Sequence, residues 1–239
     1  MGRAFEVRKV AMAKTAAVKS KLYAKFGREI YLAAKSGSPD PDTNQTLKRM
    51  IEKAKREQVP ADVIKRNIDK AKGGGEDNLS SIRYEGFGPG SSMLIVECLT
   101  DNVNRTISEV RNCFTKTGGK LGISGSVVHQ FNHQAVFAMK GITEDEVLEI
   151  LVEHDLDVSD IETDDEGVTI YSEATNFNAI RMAFNEARPE LDYDTEEIMW
   201  LPIMDATLDN EEDKEKFERL TSMLDELDDV QDVYHNVAL

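Results

Sequence analysis

The segment Arg83–Thr106 constrains the fold most, because the chain changes its pattern there. Before it lies lysine-rich sequence with helical spacing of apolar residues, and after it come strand and helix patterns with a large excess of acid. Inside the segment, closely spaced Gly and Pro residues mark a loop, and Met93–Leu99 is a mostly apolar run of strand length. Asp101 or Asn102 can cap a following helix. The segment therefore predicts a strand, a loop, a second strand and the start of a helix.

The two parts of the chain on either side of residue 80 carry opposite charge. Residues 1–80 contain 18 Lys and Arg against 10 Asp and Glu, a net +8, whereas the whole chain carries 29 against 45, a net −16. The remaining 159 residues therefore contain 11 basic and 35 acidic side chains, a net −24. A polyanion such as DNA or RNA is attracted to the first part and repelled by the second, so charge sets its orientation as well as its affinity.

Three amphipathic helices are predicted in the basic part. Apolar residues recur every four positions from Leu22 to Ile30 and indicate a helix over residues 18–35. A second helix follows, and a third begins at Pro60, which suits the first position of a helix. The glycine-rich and acidic run at residues 73–78 has the composition of a flexible linker, so the helices can move relative to the rest.

The first predicted helix carries a basic stripe on its polar side. Four cations lie within an arc of roughly 80° at 100° per residue, opposite the apolar face: Lys21, Lys25, Arg28 and Lys35. If these side chains neutralise phosphates, the helix is a nucleic-acid-binding element. A solvated polar face is the alternative, because many helices carry such stripes. The cations of the second helix are more scattered, and a solvated face is the favoured interpretation there.

The middle of the acidic part alternates strands and helices in the order βαββαβ, which is typical of the ferredoxin-like fold. These elements are predicted over residues 135–140, 143–154, 158–162, 168–172, 176–187 and 191–201. A helix over residues 211–227 and a strand over residues 230–236 follow without a sheet of their own. Together with the strand and helix after Met93 and a strand over residues 126–131, they complete a second α/β unit.

The predicted fold class is therefore α+β, with an N-terminal three-helix domain followed by two ferredoxin-like α/β domains, one inserted in the other. The predicted boundaries give a basic helical domain at residues 1–78, a split α/β domain at residues 79–133 and 205–239, and the inserted ferredoxin-like domain at residues 134–204. The longest apolar runs are far shorter than the roughly 18 residues that cross a bilayer, so no membrane span is predicted.

Catalytic and metal-binding patterns are missing from the sequence. His129 and His133 have no Cys or carboxylate at zinc-ligand spacing, and the run around Ser124 does not match the G-x-S-x-G pattern of a nucleophile turn. Cys98 and Cys113 match neither a disulfide framework nor a CxxC pair and are interpreted as reduced, buried thiols. We therefore predict that the protein is not an enzyme, with no catalytic residue, no metal and no cofactor.

Three acidic runs, at residues 164–166, 209–213 and 225–229, lack the spacing of a calcium loop. Solvated surface is the first interpretation of these runs, and a docking face for a basic protein partner is the second.

The glycines within the segment Arg83–Thr106 do not form a P-loop, because the loop at residues 86–90 is not followed by the GK[ST] pattern. A tight connection between two strands is the favoured interpretation. Arg105, in the first turn of the helix that Asn102 can cap, is able to hold one phosphate. A surface ion pair is the favoured use of Arg105.

Several motifs in the chain resemble the YebC/PmpR family. They are YEGFGPG (residues 84–90), LTDNVNRT (residues 99–106), DVYHNVA (residues 232–238) and the long stretch of residues 21–75. The resemblance covers nearly the whole chain and implies the same three-domain layout. It also implies a DNA-binding transcriptional regulator. Other members are linked to translation: one mitochondrial relative resembles a translational activator, and some relatives act at the ribosome.

Three hypotheses for function follow, led by a cytoplasmic nucleic-acid-binding regulator of gene expression, with DNA as the first target. A ribosome-associated, RNA-binding translation factor is the alternative, since Lys and Arg neutralise both backbones and no base-reading motif is visible. The second alternative is an acidic protein-interaction scaffold. The candidate nucleic-acid-binding residues are Lys9, Lys14, Lys21, Lys25, Arg28, Lys35 and Arg105.

Overall fold

The computed structural model describes residues 19–73 and 79–238. Within them the chain forms seven α-helices and eight β-strands. The helices are α1 (Lys19–Ser36), α2 (Gln45–Arg56), α3 (Ala61–Lys72), α4 (Val103–Lys116), α5 (Glu144–Glu153), α6 (Phe177–Ala187) and α7 (Glu211–Asp225). The strands are β1 (Ser80–Phe87), β2 (Met93–Thr100), β3 (Lys120–Leu121), β4 (Phe131–Lys140), β5 (Asp160–Asp164), β6 (Gly167–Glu173), β7 (Asp192–Pro202) and β8 (Val230–His235). The predicted α+β class and its three-part layout are confirmed.

The described chain divides into two compact units, one of residues 129–204 and one that joins the N-terminal helices to residues 79–128 and 205–238. The domain boundaries proposed from the sequence, at residues 78, 133 and 204, stay a prediction. None of the helices in the described ranges is both long and apolar enough to cross a membrane.

The three N-terminal helices pack around an apolar core to which α1 contributes Phe26 and Ile30, as the four-residue spacing predicts. A buried side chain joins the first two helices. Asn44 caps α2 by accepting a hydrogen bond from the Leu47 backbone N–H, and its amide donates to the Ala33 carbonyl at 2.8 Å. This one residue satisfies backbone groups at the end of one helix and the start of the next, and thereby fixes the turn between them.

The split α/β domain is built on a four-stranded antiparallel sheet in the order β3-β1-β2-β8, against which α4 and α7 pack. Its core includes Phe114 of α4 and Leu220 of α7, both fully buried. Gly86 of β1 lies directly beneath the Phe114 ring, where any Cβ would collide with the ring. The order of the strands across the sheet matches a ferredoxin-like sheet. The place of the strand that comes third along the chain in that fold is taken here by β1, which comes before the other strands in the chain.

The predicted strand over residues 126–131 is wrong. A two-residue strand, β3, and a 3₁₀ turn (Val128–Gln130) occupy this region, and β4 begins only at Phe131. The physical reason is a competing hydrogen-bond acceptor. The backbone N–H groups of Val127 and Val128 donate to the side chain of Glu85 and are not available to a neighbouring strand.

The unit of residues 129–204 has the predicted βαββαβ order, with sheet order β5-β6-β4-β7. Phe137 of β4 packs against Phe177 of α6 in the core, with ring centroids 4.9 Å apart. Helix α5 begins with a capping box, in which Thr143 and Glu146 each hydrogen-bond the backbone of the other. Both predicted helices are confirmed to within about two residues, the normal uncertainty of a helix end.

Replacing Leu220 by Ala should lower the free energy of unfolding by about 2–5 kcal/mol, because a large side chain is removed from a core that cannot collapse fully around the gap. Denaturant unfolding followed by circular dichroism measures the change. Arg219→Ala, at the exposed neighbouring position of α7, is the matched control and should change stability by about 0.5 kcal/mol or less. Equal destabilisation by the two variants would contradict the placement of Leu220 in the core.

Candidate nucleic-acid interface

Two cations of the predicted stripe on α1 face acidic residues of the split α/β domain. The Lys25 ammonium lies 3.2 Å from an Asp232 carboxylate oxygen. The Arg28 guanidinium lies 3.3 Å from the Asp229 carboxylate and also donates to the Asp228 carbonyl. The Lys25 and Arg28 side chains are only 28% and 27% exposed. This side of α1 is therefore engaged by carboxylates of the same chain and is only partly open to solvent.

The other candidate residues have different surroundings. Lys35 lies against Tyr31, with its ammonium 3.2 Å from the hydroxyl and 5.4 Å from the ring centroid. Lys70 of α3 lies at the same 5.4 Å from that ring. Lys21 belongs to α1, but its side chain is outside the described part of the protein, as are Lys9 and Lys14 entirely. A nucleic-acid-binding role for these residues stays a prediction.

Asp229 is the centre of the contact between α1 and the split domain. Its side chain is only 3% exposed. Four side chains surround the Asp229 carboxylate, at 2.7, 2.8, 3.0 and 3.3 Å: Arg105, Thr106, Thr100 and Arg28. We call these five residues the Asp229 cluster. The cluster joins the end of β2, the start of α4, the α7–β8 connection and the polar side of α1.

The charge of the Asp229 cluster is fixed by its hydrogen bonds. Burial by itself raises the pKa of Asp229, but the hydrogen bonds from Arg105, Thr106 and Thr100 outweigh burial and hold the pKa below its usual value. Hydrogen bonds to Asp229 and Asp101 raise the pKa of Arg105. Both groups are thus charged at neutral pH. Arg105 forms ion pairs with Asp229 and Asp101, the use that its place in the sequence favours over phosphate binding.

A polar cleft of about 700 Å³ lies between the N-terminal helices and the split domain. Its charged lining residues are Arg28, Lys70, Arg105, Asp101, Glu109, Glu226, Asp228 and Asp229. Three cations against five carboxylates leave a net charge of −2. A cleft of this charge repels phosphate, so the cations that line it can meet a nucleic acid only if their carboxylate partners are displaced.

Sequence reasoning missed Asp229, Thr100 and Thr106. The acidic run that contains Asp229 is interpreted as solvated surface from its composition, and its neighbour Asp228 is indeed exposed. Nothing in the run marks Asp229 as the buried member. Thr100 and Thr106 stand in the LTDNVNRT motif beside Arg105. The sequence therefore shows these three donors in one motif, but it does not show that they share Asp229 as their acceptor.

The DVYHNVA motif is also structural. The Asn236 side chain accepts a hydrogen bond from the Met93 backbone N–H at 2.7 Å and so ties the end of the chain to β2. His235 packs the edge of its ring against Phe217, with centroids 5.0 Å apart. Burial lowers the pKa of His235, which keeps the ring neutral at pH 7. Cys98 and Cys113 are both buried and free of disulfides, and burial raises the pKa of Cys98 to about 12, as expected for inert thiols.

Comparison with known proteins agrees with these motifs. The N-terminal domain of the TACO1/YebC proteins matches residues 3–74, and their second and third domains match residues 79–237. This chain belongs to the TACO1/YebC family. The resemblance inferred from the sequence motifs is thereby confirmed.

Individual relatives of the TACO1/YebC family match along the full length of the chain. A protein of Alteromonas mediterranea is 56% identical over 238 residues, which cover 100% of this chain and 99% of the relative. One of Acholeplasma laidlawii is 57% identical over 237 residues, 99% of this chain and 98% of the relative. Both are named "probable transcriptional regulatory protein". The crystal structure of a conserved hypothetical protein from Aquifex aeolicus is 34% identical with a TM-score of 0.79, covering 95% of this chain and 93% of that one.

Asp229→Asn should lower the free energy of unfolding at pH 7 by about 1–3 kcal/mol, because donors that serve a buried carboxylate lose their charged acceptor. A carboxyl whose folded pKa is depressed stabilises the protein above its unfolded pKa, near 3.9, and this contribution is lost as pH falls through the folded pKa. The difference between wild type and Asp229→Asn should therefore shrink below about pH 4. Denaturant unfolding over a pH series measures it.

Asp228→Asn is the matched control for Asp229→Asn, since it changes the same charge at the adjacent, exposed position. Its effect on unfolding should stay within about 0.5 kcal/mol at every pH. An Asp229→Asn variant as stable as this control at pH 7 would show that the cluster does not stabilise the fold.

Proposed function

We propose that this protein is a non-enzymatic regulator of gene expression that binds nucleic acid, in the first place DNA, through the cations of α1. One observation carries the proposal: Lys25 and Arg28 are already held against oxyanions of the acidic half of the chain. Carboxylate and phosphate oxygens are bound by Lys and Arg through the same charge-assisted hydrogen bonds. A phosphate can therefore take the place of Asp232 at Lys25 and compete with the Asp229 carboxylate for Arg28. The relatives named as probable transcriptional regulatory proteins support a regulatory role, and the proposal places that role in the cytoplasm.

The exchange of carboxylate for phosphate is energetically accessible. A partly exposed ion pair such as Lys25–Asp232 contributes only about 0.2–1 kcal/mol. A nucleic acid offers many phosphates at once and gains further from the release of its condensed counterions. The net +8 of residues 1–80 attracts the polyanion, while the net −24 of the remainder turns the acidic part away from it.

An enzymatic function receives no support from the described residues. Within them, no base is hydrogen-bonded to Ser124, and the His235 ring, which burial keeps neutral, packs against Phe217. Asp229, whose pKa is lowered, and Arg105, whose pKa is raised, are paired with one another in an arrangement that stabilises the fold. Binding is thus the better account of the charged residues.

Asp232→Asn should tighten the binding of a short DNA duplex by about two- to fivefold at low salt, because Lys25 is released from its intramolecular partner. Fluorescence anisotropy with labelled DNA, and with RNA of the same sequence, measures the affinities and tests which target is preferred. Glu215→Gln is the matched control: it removes the same charge from the same domain at an exposed position of α7. Equal gains in the two variants would mean that only net charge matters.

Lys25→Gln should weaken binding and flatten the slope of log affinity against log salt by roughly one unit on duplex DNA, since one phosphate contact is lost. Lys214→Gln, on the exposed surface of α7, should leave the slope unchanged. An unaltered slope in a folded Lys25→Gln protein would move the interface away from this side of α1. The scaffold hypothesis expects no nucleic-acid binding by any of these proteins.

A further inference from the structure

The split α/β domain contains an acid-free region that its overall charge conceals. Residues 110–128 include Arg111, Lys116 and Lys120 and no Asp or Glu, although residues 81–239 together carry a net −24. The three cations lie at the end of α4 and on β3, and all are exposed. This region is a local reversal of charge within the acidic half.

These three cations differ from their neighbours in having no carboxylate partner among the residues that the structure describes. Three other cations of the same domain are paired: Arg105 with Asp229, Lys214 with Glu211 and Lys216 with Glu212. The Lys120 ammonium lies 5.4 Å from the centroid of the Phe87 ring and remains open to solvent. Arg111, Lys116 and Lys120 are thus available to an external anion without the displacement that α1 requires.

The loop of residues 121–128, which follows Lys120, has a fixed shape; we call it the Ile123 loop. Glu85 of β1 is only 4% exposed, and its carboxylate accepts backbone hydrogen bonds from Gly125, Val127 and Val128 at 2.7, 2.6 and 2.8 Å. Burial by itself raises the pKa of Glu85, but these three hydrogen bonds outweigh it and lower the pKa. A buried charge is thus used to order a surface loop.

The tip of the Ile123 loop is apolar. Ile123 is 81% exposed, the most exposed of the large hydrophobic side chains in the described residues. Gly125 has a φ of 87°, which side-chain-bearing residues rarely adopt, so the turn beside the tip depends on glycine. A rigid loop that holds one aliphatic side chain in solvent is preorganised for contact, because little conformational entropy remains to be lost on binding.

We propose that the Ile123 loop and the cations Arg111, Lys116 and Lys120 form a second nucleic-acid contact, in which the cations bind phosphates and Ile123 packs against unstacked bases. Aliphatic side chains on rigid elements insert between base steps in known complexes, and unpaired bases present apolar faces. Exposed cations on α4 and β3, of which Lys120 stands three residues before Ile123 in the chain, favour a polyanion over a protein partner. This inference rests on the proposed function and adds a contact from the acidic half of the chain.

The cations are tested with the full chain and a single-stranded RNA or DNA of about 20 nucleotides, which exceeds the usual site of one small domain. Lys116→Gln combined with Lys120→Gln should flatten the salt slope by roughly 1.4 units on a single strand. Lys214→Gln combined with Lys216→Gln changes the net charge equally in the same domain and should leave the slope unaltered. Identical slopes in the two double variants overturn the proposal.

The apolar tip is tested with 2-aminopurine, whose fluorescence rises when the base leaves its stack. Wild-type protein should raise the signal of a probe that carries 2-aminopurine in an unpaired position, and Ile123→Ser should abolish the rise and weaken binding about five- to tenfold. Val103→Ser, at another exposed apolar position of the split domain, should retain both. An unchanged fluorescence rise in Ile123→Ser contradicts a contact between Ile123 and bases.

Glu85→Gln distinguishes loop shape from net charge. Removal of one negative charge should tighten nucleic-acid binding if electrostatics alone decide, whereas loss of the ordered loop should weaken it and reduce the 2-aminopurine signal. Thermal unfolding of each variant shows whether the domain stays folded. If Glu85→Gln unfolds the domain, the variants of Lys116, Lys120 and Ile123 still test the proposal.

The two nucleic-acid proposals fail separately. Binding that depends on Lys25 but not on Lys116 and Lys120 overturns only this inference, and the reverse overturns only the role of α1. A full chain that binds neither DNA nor RNA overturns both.

Discussion

The buried carboxylate of Asp229 is the interaction on which the arrangement of the N-terminal helices and the split domain depends. It receives two threonine hydroxyls and one guanidinium from the split domain and a second guanidinium from α1. A buried charge is costly unless it is paired and fully hydrogen-bonded, and Asp229 is both. The Glu85 carboxylate is stabilised mainly by hydrogen bonds, and its three donors are backbone N–H groups of a surface loop. In each case a charge is buried to fix geometry.

Because residues 1–80 and 81–239 carry opposite charge, the cations of α1 can bind either carboxylates of the same chain or phosphates of a nucleic acid. Lys25 and Arg28 contact carboxylates of their own chain, and a nucleic acid has to compete for them. Because partly exposed ion pairs are weak and sensitive to salt, this competition is set by ionic strength and by the number of phosphates in reach. Lys116 and Lys120 have no carboxylate partner within residues 19–73 and 79–238, so no carboxylate of those ranges competes for them. The two proposed contacts therefore differ in how they respond to conditions.

The amount that could be predicted from sequence differs between the fold and the site. The four helices predicted over residues 18–35, 143–154, 176–187 and 211–227 each end within about two residues of the observed helix, and the βαββαβ order predicted the inserted sheet. The strand predicted over residues 126–131 was wrong, because the N–H groups of Val127 and Val128 bond to Glu85, 42 and 43 residues away, and no local sequence pattern indicates such a partner. Cation positions on α1 were predictable from 100° spacing, but their carboxylate partners, some 200 residues distant, were not.

By itself the sequence determined the α+β class, the polarity of charge along the chain, the apolar face of each helix and, through its motifs, membership of the TACO1/YebC family. These properties depend on composition and on short-range periodicity, which a linear sequence contains in full. Only the tertiary structure decided which member of an acidic run is buried, which cations are paired and which remain open, and which glycine-rich loop is held rigid. Such properties depend on contacts between residues far apart in the chain, and the burial and pairing of a charge exist only once those residues have been brought together.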